Sequence, residues 1–148
     1  MNIEEVLKMW KEDSIIDDLK LDDTTVKMAR IHSKYLELLT ITKMRRKKKD
    51  LEYKTLLKDK WLYYNGKLSQ GEMDMKGWEY DPFGGLNKPL KGDMNHYYDS
   101  DTDIQKAQSL LEYDKVLIET LEEIMNTIRW RHQNIGNIIK WRSFEAGA

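Results

Sequence analysis

The chain has 148 residues, enough for one domain with a modest core and too few for two ordinary globular ones. Its lack of cysteine excludes disulfides, cysteine nucleophiles and thiolate metal sites. With 34% charged residues, 40% hydrophobic residues, two prolines and a net charge of only −1, it fits long amphipathic helices, and any charge-driven function must rest on where the charges sit.

The amino-terminal MNIEEVLKMWKED carries acids where a secretory signal needs a basic and then an apolar run, and no apolar segment reaches membrane-spanning length. A soluble, intracellular protein is therefore expected. Ile3, Val6, Leu7 and Trp10 fall at helical spacing, and Asn2 with Glu5 resembles a capping pair, which predicts a first helix over about residues 3–12. Ile15, Ile16, Leu19 and Leu21 then form an apolar connector, ending at Asp22, Asp23 or Thr24, any of which can cap the next helix.

From about Asp23 to Tyr64 no proline or glycine interrupts the chain. Val26, Met28, Ile31, Tyr35, Leu38 and Leu39 repeat at helical spacing, Leu51, Leu57, Trp61 and Tyr64 resume the stripe, and Asn65 with Gly66 is the stop signal. One long helix is expected, with a kink or fraying where five cations in a row, Arg45 to Lys49, face all directions. Residues 43–60 hold nine cations (Lys43, Arg45, Arg46, Lys47, Lys48, Lys49, Lys54, Lys58 and Lys60) against three acids, and Trp61, Tyr63 and Tyr64 follow. Cations of this density neutralise phosphates, and flat rings beside them stack on unpaired bases without selecting a sequence, so the stretch is a candidate nucleic-acid surface. The alternative is a solvated helix face, or a segment that pairs with the acidic residues 1–23 or 72–103, each of which holds eight acids against three lysines.

Over residues 67–101, glycines and both prolines break every periodicity, which predicts a long loop anchored by Trp78, Tyr80, Phe83, Tyr97 and Tyr98. Gly84 and Gly85 lack the lysine and hydroxyl that complete a phosphate-binding loop and read as a turn. Thr102 and Gln105 form a capping-box pattern that opens a final helix over about 102–145. Its heptad seam runs through Ile104, Ala107, Leu111, Asp114, Ile118, Leu121, Met125, Ile128, His132, Ile135, Ile139 and Arg142. A second row (Leu110, Leu117, Ile124, Ile138) widens the apolar face, so the helix is expected to pack on its hairpin partner and on other subunits. Ile118, Leu121, Met125, Ile128, His132, Ile135 and Ile139 are the candidate oligomerisation residues, against the alternative of a three-helix monomer core.

Asp99, Asp101 and Asp103 mimic the start of a calcium loop, but Ile104 and Leu110 occupy the positions that need glycine and a carboxylate, so they are read as helix-capping acids. His32, His96 and His132 lack convergent ligands, and no spacing joins a nucleophile to a base. No metal, no cofactor and no enzymatic activity are expected. Trp130 and Trp141 lie off the seam, as a second packing interface or, with Arg129, Arg131 and Arg142, as an addition to a DNA surface.

Leu57-Lys58-Asp59-Lys60-Trp61-Leu62-Tyr63-Tyr64-Asn65-Gly66 resembles the Leu-Lys-x-basic motif and following Tyr-Tyr-small-Gly of the UvsY recombination mediators of T4-like bacteriophages. Arg142 to Gly147 is similar to the ending of that family, and Ser33 to Leu36 and the order of elements also correspond. The resemblance implies an all-α fold in one domain: an α-helical hairpin with a short N-terminal helix, a basic helix over about 24–66, a long irregular loop and assembly through the C-terminal helix. It also implies binding of single-stranded DNA, a closed ring of six or seven copies, and loading of a phage recombinase onto strands coated by single-stranded-DNA-binding protein, in the cytoplasm of an infected bacterium and without a membrane. The family's DNA-contacting basic positions carry over to Lys58 and Lys60, with Lys60 standing where the pattern often has arginine and Asp59 between them. A helical interaction protein that assembles without DNA is the alternative function.

Overall fold

The computed structural model describes residues 1–147, and its elements in order are α1 (Ile3–Asp13), α2 (Leu21–Tyr64), α3 (Gln70–Lys76), α4 (Met94–Ser100) and α5 (Thr102–Glu145). The expected all-α class is the one observed, with no strand among the described residues. At 1.5 Å per residue, each 44-residue helix is roughly 66 Å long, more than one small core can cover. The chain accordingly divides into two compact units, Met1–Arg45 with Asp114–Ala148, and Arg46–Tyr113.

The first unit begins with the capping box foreseen for α1. The Glu5 N–H donates to Asn2 Oδ1 at 2.8 Å, and the Asn2 N–H donates to Glu5 Oε2 at 3.0 Å. This fixes the helix so that Val6 is buried against Tyr35 and Leu39 of α2 and Leu117, Leu121, Ile124 and Ile128 of α5. Trp10 meets the Tyr35 ring edge-on at 5.5 Å, and the Tyr35 hydroxyl donates to Asp13 at 2.9 Å, while Lys34 pairs with the same carboxylate. Burial, then the Asp13 carboxylate, pushes the Tyr35 phenol above its ordinary value. The connector over 14–20 is turn and coil, but α2 starts one residue before the candidate caps. Asp22 and Asp23 sit inside its first turn, where they face the positive end of the helix dipole, and Thr24 Oγ1 donates back to the Lys20 carbonyl at 3.1 Å.

The expected kink at Arg45 to Lys49 is absent; α2 runs unbroken. Arg45 forks onto Asp114, with Nη2 to Oδ1 at 2.9 Å and Nε to Oδ2 at 3.4 Å, and Lys43 lies 3.3 Å from Glu122. Asp114 is 0% exposed, which explains an acid at a heptad position: it is the counter-charge of an arginine that the helix carries inward. On α5 the middle of both apolar rows is taken up by this core, because α1 as well as α2 lies against it. Leu117 and Ile124 of the second row are buried as deeply as Leu121 and Ile128 of the seam.

In the second unit, the interval expected as loop carries α3 and α4. Ser69 caps α3 through the Glu72 N–H at 3.3 Å, and Gly77, at φ 70°, ends it in the left-handed conformation. Glycine and proline frequency concealed two helices of seven residues each, too short to show a period. Tyr63, Tyr64, Leu68 and Met94 form the buried core of the unit, with Trp78, Phe83, Tyr97 and Tyr98 packed around them. Tyr80 stays exposed. Gly84 and Gly85 make the anticipated turn, both at positive φ, with Asp81 accepting the Phe83 and Gly85 N–H groups.

Candidate nucleic-acid interface

Between Lys47 and Trp61 the spacings four, three, four and three place Lys47, Leu51, Lys54, Lys58 and Trp61 on one face of α2, over roughly 21 Å. All five are exposed. Asp50 lies within this row, 3.9 Å from Lys47 and 3.2 Å from Lys54, and lowers the charge of the stripe without cancelling it. The Trp61 ring is 47% exposed, and Lys67, brought round by the turn at Gly66, holds its ammonium 4.5 Å from the ring centre. Lys48 is exposed off this row, and Lys49 is half-buried. Asp59, the acid in the motif, faces Lys76 of α3 at 3.2 Å, so its charge is already answered.

The opposite face of the same turns holds Lys60, Tyr63 and Tyr64, and there the structure departs from the sequence reading. Lys60 is 3% exposed. Its ammonium lies 3.0 Å from Asp101 Oδ2 and 2.8 Å from Asp103 Oδ2, and 3.8 Å from the centre of the Trp78 ring. Trp78 Nε1 donates to the same Asp103 oxygen at 3.0 Å. The Tyr63 hydroxyl donates to the Glu79 carbonyl at 2.7 Å and the Tyr64 hydroxyl to Asp101 Oδ2 at 2.6 Å. Lys60, Tyr63 and Tyr64 are therefore turned inward and enclosed, and do not present a charge or a ring face to a strand. The physical reason is helix period: 60, 63 and 64 share a face that the rings of residues 67–101 cover, whereas 58 and 61 lie on the other side.

Asp101 is the hub of this cluster. Its Oδ1 accepts the Asp103 and Ile104 N–H groups, each at 3.0 Å, and so caps α5 one residue before the expected Thr102. Gln105, the other half of the predicted capping box, donates instead to the Asp99 carbonyl at 2.8 Å. Burial by itself raises the Asp101 carboxyl, but the hydrogen bonds from Tyr64, Ile104 N–H and Lys60, with the Lys60 charge, outweigh it and hold the group below the usual carboxylate range. Burial, then the Asp101 contact, pushes the Tyr64 phenol up; burial, then the Glu79, Asp101 and Asp81 charges, raises Tyr63. The sequence named Asp101 and Asp103 individually only as caps, and their pairing with Lys60 falls within the alternative that the basic stretch pairs with acidic residues 72–103. The available signal was an acidic pair beside a tryptophan-bearing segment.

The remaining candidates are scattered. Arg45 is committed to Asp114, Lys43 to Glu122, and Arg46 is half-buried. Of the oligomerisation candidates, Leu121 and Ile128 belong to the core of the first unit, Ile118 and Met125 pack against it, and Ile135 is buried. His132 and Ile139 are exposed. On the same helix Trp130, Trp141 and Phe144 stand largely in solvent, the last two stacked at 5.7 Å. Arg131 is turned inward, donating to the Ser14 carbonyl at 2.6 Å beside Trp10, and Arg142 reaches Asp18. Burial lowers Arg131 below its ordinary value. Among the described residues no group of three histidine or acidic side chains is placed to hold a metal ion, and no helix is long and apolar enough to cross a membrane.

These features match a known lineage along nearly the whole chain. The recombination protein uvsY of Enterobacteria phage T4 is 26% identical over 147 residues, covering 99% of both chains. A crystal structure of the bacteriophage T4 recombination mediator protein UvsY matches with a TM-score of 0.84 at 25% identity, over 99% of this chain and 98% of that one. A second crystal form, at 22% identity and a TM-score of 0.79 over 98% and 99% of the two chains, agrees in fold. The family model for the recombination, repair and ssDNA binding protein UvsY covers residues 9–148, and with the helical order and the Lys58-to-Gly66 motif both in place, the chain belongs to the UvsY family.

Proposed function

We propose that this chain is a phage recombination mediator that binds single-stranded DNA along the exposed face of α2, with Lys47, Lys54, Lys58 and Lys67 on phosphates and Trp61 stacked on an unpaired base. The observation that carries this reading is the alternation of exposed lysines ending in a half-exposed tryptophan, with an ammonium over its ring. Phosphate neutralisation supplies affinity and stacking supplies tolerance of sequence. Lys60, Tyr63 and Tyr64 hold the surface in shape from behind.

A few lysines in one subunit bind weakly, and several copies on one strand convert weak contacts into avidity. The exposed Trp130, Trp141 and Phe144, which share one side of α5, supply an apolar surface for such self-association. This moves the assembly surface outward from Leu121 and Ile128, which the subunit uses for itself. A strand held across a ring of copies is drawn out of its coat protein and presented to the recombinase, within the infected bacterial cell.

The test is fluorescence anisotropy of labelled single and double strands across a salt series. Wild type is expected to bind the single strand preferentially and to weaken steeply with salt, and Lys54→Ala/Lys58→Ala to flatten the salt slope by roughly 1.4, about 0.7 for each lost phosphate contact on a single strand. Absence of binding even at low salt removes DNA from the account and leaves a helical interaction protein.

A further inference from the structure

A row of lysines attracts duplex and single strand alike, so the preference for an unpaired strand needs a place for an exposed base. Within the second unit a groove of about 610 Å³ is lined by Arg46 of α2 and by Gln105, Gln108, Ser109, Leu111 and Glu112 of α5. Arg46 adjoins Lys47, where the exposed lysine row begins. Its Nε is buried with no hydrogen-bond acceptor. That nitrogen is enclosed, but no hydrogen bond or ion pair engages the rest of the guanidinium, so its N–H groups on the groove are left for an acceptor that arrives with a ligand.

The rest of the lining fits a base better than a phosphate. Gln108 Nε2 donates to the Tyr53 hydroxyl at 2.9 Å and Gln105 Nε2 to the Asp99 carbonyl at 2.8 Å. Each amide is thereby held in place through one N–H, with its carbonyl oxygen and second N–H left for a ligand. Ser109 adds a hydroxyl, and Leu111 an apolar surface for a ring. Donors and acceptors are mixed, so the set tells an unpaired base from a paired one and does not favour one base strongly.

We propose that this groove receives an unstacked nucleobase of the bound strand, hydrogen-bonded by Arg46, Gln105, Gln108 and Ser109, and that it supplies much of the preference for single strands. The proposal rests on the single-strand reading above. It assigns Arg46 to the base and the row of exposed lysines to the backbone.

The experiment compares a labelled mixed-base oligonucleotide with an abasic strand of the same length, by anisotropy at fixed salt. Wild type is expected to favour the base-bearing strand by about tenfold or more. Arg46→Lys keeps the charge but loses the planar fork, and Ser109→Leu narrows the groove without removing an observed hydrogen bond. Each is expected to cut affinity for the base-bearing strand several-fold, to leave abasic affinity and the salt slope unchanged, and to retain the wild-type circular dichroism. If both variants keep the wild-type ratio of base-bearing to abasic affinity while still binding DNA, the groove is not a base site and the lysine row with Trp61 carries the binding. If wild type binds no strand, the single-strand reading falls and this site with it.

Discussion

Lys58 and Lys60 are two residues apart on one helix and have opposite environments. Lys58 stands in solvent on the row that leads to Trp61, whereas Lys60 is sealed beneath Trp78 between two carboxylates. Two residues turn a helix through about 200°, so a charge run that is uniform in sequence is divided by the fold into a binding face and a structural face. Counting cations in such a run overstates the surface offered to a strand. The same division governs the rings: Trp61 is displayed, while Tyr63 and Tyr64 are the core of the second unit.

Removing the inner charge separates the two faces most sharply. Lys60→Ala leaves Asp101 nearly buried beside Asp103 without its cation, and is expected to cost about 3–5 kcal/mol of stability in urea unfolding. At a salt and temperature where it stays folded, it should keep the wild-type slope of affinity against salt; a slope flatter by one phosphate contact would place Lys60 on DNA after all. Next in size is Asp114→Ala in the first unit, expected to cost about 2–3 kcal/mol because the Arg45 fork loses its acceptor, although Arg45 is exposed enough to regain water.

The acid response tests the same inner face. Asp101 has a folded-state pKa below its unfolded value, so its contribution to stability is fully present above the ordinary carboxylate pKa and disappears as pH falls through the lowered one. Near-ultraviolet dichroism of the Trp78 cluster should therefore fade below about pH 4, where an unfolded aspartate titrates, and Asp101→Asn should flatten that acid transition while lowering stability at neutral pH. On the outer face the effects on folding are smaller and those on binding specific. Trp61→Ala is expected to weaken single-strand binding by about 1–3 kcal/mol, the worth of one stacked base. The smallest change in folding is expected for Lys58→Ala, within about 0.5 kcal/mol in stability, with a salt slope flatter by roughly 0.7. A loss of stability comparable to that of Lys60→Ala would show that the two faces are not distinct.

Much of the architecture was legible in residue order. Absence of proline and glycine over forty residues, the Asn2–Glu5 pair and the Asn65-Gly66 stop placed α1 and α2 to within a few residues. The apolar rows of α5 announced its buried face but not its occupant. Leu117, Leu121, Ile124 and Ile128 pack on α1 and α2, because a helix face wider than a coiled-coil seam is satisfied equally by a neighbour from the same chain. The seven-residue helices α3 and α4 were illegible, being shorter than two full turns and lying in a stretch rich in glycine.

What the sequence determined alone is what depends on neighbours along the chain: the helical class, the helix ends, and a concentration of positive charge beside aromatic rings. Which cations meet solvent was decided only by tertiary structure. Asp101 and Asp103 lie some forty residues from Lys60, and Asp114 nearly seventy from Arg45. Pairing across such separations follows from the packing of whole helices, because a buried charge is tolerated only where the fold delivers its counter-charge.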